Sequence, residues 1–197
     1  MNIQRELVEN VIIEIDKVIK EIWINEIIKD YDDGLLLKED SLKCALYHHL
    51  RSRLESVLEE NNLRIYPEYY FKDLKYRADI AIVEIDPDSD SVYLADRVKN
   101  VVALFELKYS YGTDEQTAVV IKDDVWKIRD YIQNGKMLCQ YYFGVIYEAE
   151  CTTLNWIDKR SSNNWAKGYV TELDAGMIDG QMWFEVNSYN GLNEDFN

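Results

Sequence analysis

Apolar residues recur every three or four positions over the first thirty residues. Leu7, Val8, Val11, Ile12, Ile15, Val18, Ile19, Ile22 and Trp23 fall on one side of a helical wheel, which predicts a long amphipathic helix over 3–30. The stripe is wide, so that face is buried, either on the chain's own core or on a second copy in a homodimer. "YDDG" at 31–34 ends the helix, with its glycine as the stop. A second helix begins near "KEDS", carries Leu42, Ala45, Leu46, Leu50, Leu54, Val57 and Leu58, and ends at "EENN". The period then changes. "LRIYPEYYF" (63–71) and "YRADIAIVEI" (76–85) are rich in aromatic and β-branched residues and read as strands joined by a turn at "KDLK".

"DPDSDS" is a loop, "VYLA" a short strand, and "VVALFELK" (101–108) a strong one. After the polar "YGTDEQ", residues 119–135 read as a helix with Val120, Val125, Ile128, Tyr131 and Ile132 near one face and Gly135 as C-cap. "MLCQYYFGVIYE" (137–148) is the next strand. "CTTLNWIDKRSS" suggests a short helix capped by a threonine. Two final strands flank an Asp-Gly turn. The order α-α-β-β-β-α-β, followed by a small tail, predicts an α/β fold with a central mixed sheet flanked by helices. The chain reads as a single domain over 1–197: an N-terminal helix (1–34), a core (35–148) and a C-terminal α/β extension (149–197).

Composition narrows the function classes. No stretch is long and apolar enough to span a bilayer, and "MNIQRELVENVIIEID" mixes acids into its apolar run, unlike a signal peptide. Cys44, Cys139 and Cys151 are odd in number and lack metal-ligand spacing, which fits a cytoplasmic setting. The net charge of −15 disfavours broad affinity for a phosphate backbone but leaves room for a local basic groove. Lys43, Arg51, Arg53, Lys72, Lys75, Arg77 and Lys122 either line such a groove or balance an acidic surface. The tyrosines of "YPEYY" and "QYYF" either stack on bases or fill the core. Trp165 and Trp183 read as core of the C-terminal unit.

Three charges break the apolar pattern where breaking it is costly. Asp79 lies inside the apolar run "RADIAIV", where an unpaired carboxylate carries a large desolvation penalty. Glu106 and Lys108 end the strongest strand and, two apart, share one face. Alone they form an ordinary ion pair, and Asp79 alone has Arg77 two residues away as a partner. If the two strands are neighbours, Asp79 and Glu106 come close together and a divalent cation relieves their repulsion. Mg²⁺ suits such a pair, with Mn²⁺ as a substitute. A lysine beside it orients or deprotonates an attacking water and stabilises developing negative charge.

Asp79 followed by Glu106-Leu107-Lys108 resembles the PD-(D/E)XK nuclease superfamily, with its restriction-endonuclease-like fold, over residues 39–148. The E-x-K half matches fully; the P-D half is reduced to Ala78-Asp79. The resemblance implies metal-dependent hydrolysis of nucleic acid, with DNA as the expected substrate. It implies Asp79, Glu106 and the Leu107 carbonyl as metal ligands and Lys108 as the catalytic lysine. Glu39, at the start of the second helix, occupies the place of a further acid. Glu68, Asp124 and Lys127 are supporting candidates. The alternative is a non-catalytic accessory protein on the same fold, working through a protein partner in a defence, phage or mobile-element setting.

Overall fold

In a computed structural model, six strands form one mixed sheet in the order β1-β2-β3-β4-β5-β6, with helices on both faces. The structure describes residues 3–71, 75–111, 115–134 and 139–193. The "KDLK" turn, Gly135, half of the "YGTDEQ" loop and the acidic end of the chain fall outside these residues, wholly or in part. The strands are β1 (Leu63–Phe71), β2 (Tyr76–Ile85), β3 (Val98–Tyr111), β4 (Gln140–Glu150), β5 (Val170–Ile178) and β6 (Gln181–Ser188).

The N-terminal stripe forms α1 (Ile3–Glu21), which runs through a π-helical turn (Ile22–Ile27) into α2 (Ile28–Asp32). Gly34 takes the left-handed conformation that ends it, at φ +70°. Ile15, Ile19, Ile22, Trp23 and Ile27 are all buried in the chain's own core, so this part of the stripe is covered by the chain's own sheet rather than by a second copy. The second helix is divided at Leu54 into α3 (Glu39–Arg53) and α4 (Glu55–Glu60). Together these helices cover one face of the sheet. The other face is covered by α5 (Glu115–Gln133) and by the segment around the one-turn helix α6 (Lys159–Ser162).

Several local expectations change. "VYLA" is not a strand: Val92 and Tyr93 are exposed, and Leu94–Arg97 form a 3₁₀ turn. The cap of α6 is Asp158 rather than a threonine; its carboxylate accepts from the backbone N–H groups of Arg160 and Ser161 at 2.8 and 2.9 Å. On α5, Val120 is exposed and Ile121 takes its place in the core. Trp165 is buried, but Trp183 is only half-buried. The Asp-Gly turn is present: Asp179 and Gly180 both have positive φ, 52° and 74°, as the two-residue hairpin requires. The C-terminal strands are no separate unit, because β5 pairs in parallel with β4 and extends the same sheet.

The topology sets the site. β1, β2 and β3 are antiparallel, then α5 carries the chain over to β4, which runs parallel to β3. The β2–β3 pairing runs no further than Ile80↔Phe105. Beyond that rung the strands part, at Asp79 on one side and Glu106-Leu107-Lys108 on the other.

At the other end of the molecule, Asp16 and Lys20 form an ion pair at 2.7 Å with both side chains fully buried. Asp16 also accepts from Tyr142, Asn190 and Asn193, and Lys20 donates to Ser188 and the Leu192 carbonyl. Every polar atom of the pair named here thus has a partner, as burial demands.

Candidate active site

Where β2 and β3 diverge, the Asp79 carboxylate takes over from the backbone ladder. Its Oδ2 accepts the N–H of Leu107 at 2.8 Å, which docks Asp79 on the backbone between Glu106 and Lys108. The half-buried mid-strand aspartate and the E-x-K segment are therefore brought together. Arg77 is not the partner of Asp79; it reaches Glu68 at 3.3 Å. The cation facing Asp79 is Lys43 of α3, with Nζ 2.7 Å from Oδ1, and the same lysine also pairs with Glu68. Of the cations that either line a groove or balance the acidic surface, Lys43 and Arg77 are thus paired with acids, and Arg53 likewise pairs with Glu21 and Glu26.

Alternation along β3 sends Glu106 toward the α5 face. It is 5% exposed, and Tyr76 of β2 donates its hydroxyl to Oε1. Tyr131 of α5 packs on the Tyr76 ring with centroids 4.5 Å apart. Burial, reinforced by the neighbouring Asp124 charge, pushes the Glu106 carboxyl up from 4.5 to about 8. Lys127 and Lys108 pull it back only in part.

Lys108 spans the two helix layers. Its Nζ lies 3.0 Å from Asp124 Oδ2 on α5 and 3.3 Å from Glu39 Oε2 at the start of α3. Asp124, 3% exposed, is also paired with Lys127. Burial alone would lower the lysine's pKa, but Asp124 and Glu39 outweigh it and the net shift is upward. Lys108 is therefore held as a cation. It can donate hydrogen bonds and stabilise negative charge, but this state is unsuited to accepting a proton from water.

Of the residues singled out from sequence, Asp79, Glu106, Leu107, Lys108, Glu39, Asp124 and Lys127 meet at this point, and Glu68 joins through Lys43. Asp124 is more central than its supporting status suggested. The pattern reading placed Val120 on the buried face; moving the frame to Ile121 puts Asp124 inside. Lys43 and Tyr76 were missed in these roles. The signal for Lys43 was its position four residues after Glu39, on the same helix face.

The donors fit a hard divalent ion in type, being carboxylates and backbone oxygen. Glu106 is the one carboxylate of the group that has no ion pair among the described residues. The present arrangement is nevertheless closed. Both oxygens of Asp79 are occupied, and no three His, Cys, Asp or Glu side chains form a metal-binding group among the described residues.

A second pair of buried acids lies on β5. Glu172 and Asp174 are both fully buried, and Glu172 accepts the Ile157 N–H at 2.9 Å and the Tyr189 hydroxyl at 2.5 Å. Burial pushes the Glu172 carboxyl up to about 7. Glu106 and Glu172 have folded pKa values above their unfolded values, so the native state binds more protons than the unfolded chain between about pH 4.5 and pH 8. Their contribution to stability is full below that window and is lost as pH rises through it. Melting temperature in EDTA should fall from pH 5 to pH 8, and Glu106→Gln should flatten the slope. An unchanged slope in Glu106→Gln would contradict the assignment.

The chain matches no protein-family model, no curated protein and no solved structure.

Proposed function

We propose that the chain is a Mg²⁺-dependent nuclease on a restriction-endonuclease-like core, with DNA as its expected substrate. The observation that carries this reading is the Asp79 carboxylate seated on the Glu106-Leu107-Lys108 backbone, with Lys108 charged beside it. The element order through β4 and the place of E-x-K on β3, just past the last rung that β3 shares with β2, support the same reading. Asp79, Glu106 and the Leu107 carbonyl would hold the ion, with Glu39 beside them. When bound, the ion supplies charge neutralisation at the phosphate and acidity to a water molecule. Lys108 orients that water and faces the developing negative charge. Asp124 and Lys127 fix Lys108, and Glu68 offers Lys43 an alternative partner when it leaves Asp79. Tyr76 holds Glu106 in place.

The contact between Lys43 and Asp79 favours a second reading, in which the lysine is the permanent counter-ion and the chain is a non-catalytic accessory. Titration with Mn²⁺ separates the two. A nuclease site should show saturable binding by calorimetry and a rise in melting temperature that grows with pH, since metal and proton compete for Glu106. Glu106→Gln should remove both effects. No saturable binding in the wild type, at any pH up to 8.5, would leave the accessory reading standing.

A further inference from the structure

Helix α5 separates two surfaces. Asp124 and Lys127 face the candidate active site. On its other side, Lys122 and Trp126 form a groove with Trp156, Asp158, Ser161 and Trp165, of about 200 Å³. We propose that this groove stacks one unpaired base of a single-stranded nucleic acid. The proposal rests on the nucleic-acid reading above and names the form of substrate it would take.

Size is the first reason. Pockets for drug-sized ligands run from about 300 to 1,000 Å³, so this groove suits a single planar ring system. Its chemistry is the second. Three indoles line it, and Trp126 is 55% exposed, an unusual position for so large an apolar ring. The Arg129 guanidinium lies over that ring at 4.7 Å and holds it from one side. Aromatic faces of this kind stack on any base, which gives affinity without sequence preference.

Charge is the third reason. Lys43, Lys108 and Lys127 all have carboxylate partners. Lys122, Lys159 and Arg160 have no ion pair among the described residues, and they lie on the two helices that wall the groove. Asp158 is the acid in the lining, and its carboxylate is committed to capping α6. A −15 chain thus keeps a small set of uncommitted cations beside an aromatic slot, the combination that a base and its flanking phosphates require.

The groove wall is also preformed. Glu172 holds the Ile157 N–H, and Tyr147 packs edge-on against Trp156 at 6.0 Å. Little ordering is needed on binding. A paired base is stacked within its helix and cannot enter, so a duplex with no unpaired nucleotide should bind more weakly.

The test is tryptophan fluorescence in EDTA at low salt. The probes are a short mixed-sequence oligodeoxynucleotide, the oligoribonucleotide of the same sequence, and the blunt DNA duplex. At least one single strand should quench and bind at least about ten-fold more tightly than the duplex. Trp126→Ala should weaken that binding by about 5- to 150-fold with an unchanged melting temperature. Lys122→Ala should reduce the slope of log affinity against log salt by about 0.7. Equal binding of duplex and single strand, or an unaffected Trp126→Ala, overturns the proposal. So does the absence of any oligonucleotide binding, which would leave the slot to a peptide. Adding Mg²⁺ or Mn²⁺ distinguishes the two claims. Quenching that depends on Trp126, without cleavage of any of the three probes, removes the hydrolytic reading and keeps the groove. Cleavage that ignores Trp126 does the reverse.

Discussion

Lys108→Met is expected to lower metal-dependent cleavage by about 10²- to 10³-fold, the usual effect of removing one group that stabilises transition-state charge. Methionine keeps most of the side chain's bulk and removes only the charge and its donors. Lys127 still pairs with Asp124, so no fully uncompensated carboxylate is left in the core. The loss should appear in kcat rather than in substrate affinity, because Lys108 meets negative charge that develops only during reaction. Single-turnover cleavage with saturating Mn²⁺ is the measurement, with circular dichroism as the check on folding. A folded Lys108→Met that cuts at the wild-type rate would remove Lys108 from the mechanism. Raising the pH should not rescue the variant, since Lys108 is held as a cation and does not act by losing a proton.

The largest effect on stability should come from Trp23→Ala, at about 3–5 kcal/mol. Trp23 is fully buried, packs on Phe184 with centroids 5.7 Å apart, and donates its indole N–H to the Asp174 carbonyl at 3.1 Å. It sits in the π-helical turn and ties the N-terminal helix to β5 and β6. The substitution leaves a cavity and removes the indole's hydrogen bond to β5. Urea unfolding should show a lower midpoint. A change under 1 kcal/mol would mean that the helix is not anchored through this ring.

The residues differ in how much they disclose by themselves. Alternation in "VVALFELK" correctly set Glu106 and Lys108 on one face of a strand, although the strand runs on to Tyr111 rather than ending at Lys108, and "DG" at 179–180 correctly marked a hairpin. Both are local: one depends on the pleat of a strand, the other on backbone conformation at two positions. Asp124 was less legible because Val119, Val120 and Ile121 are consecutive apolar residues, and the helix can be framed on any of them. Lys43 was less legible because α3 carries several cations and spacing alone does not say which one meets Asp79. Glu172 and Asp174 were the least legible. "VTELDA" alternates like a strand with one wet face, but the segment bearing Ile157 and Trp165 lies over that face and buries both acids. Sequence period tells which residues share a face; what covers the face is decided by chain tens of residues away.

The buried Asp16–Lys20 network has a consequence for the order of events during synthesis. Its two charges lie near the start of the chain, while Ser188, Asn190, Leu192 and Asn193, which complete their coordination, are translated at least 168 residues later. A nascent chain that has exposed only α1 and the first strands cannot bury this helix face without stranding an ion pair. Native docking of α1 is therefore withheld until the last strand has left the ribosome, and its apolar stripe stays available to a chaperone for the whole of that interval.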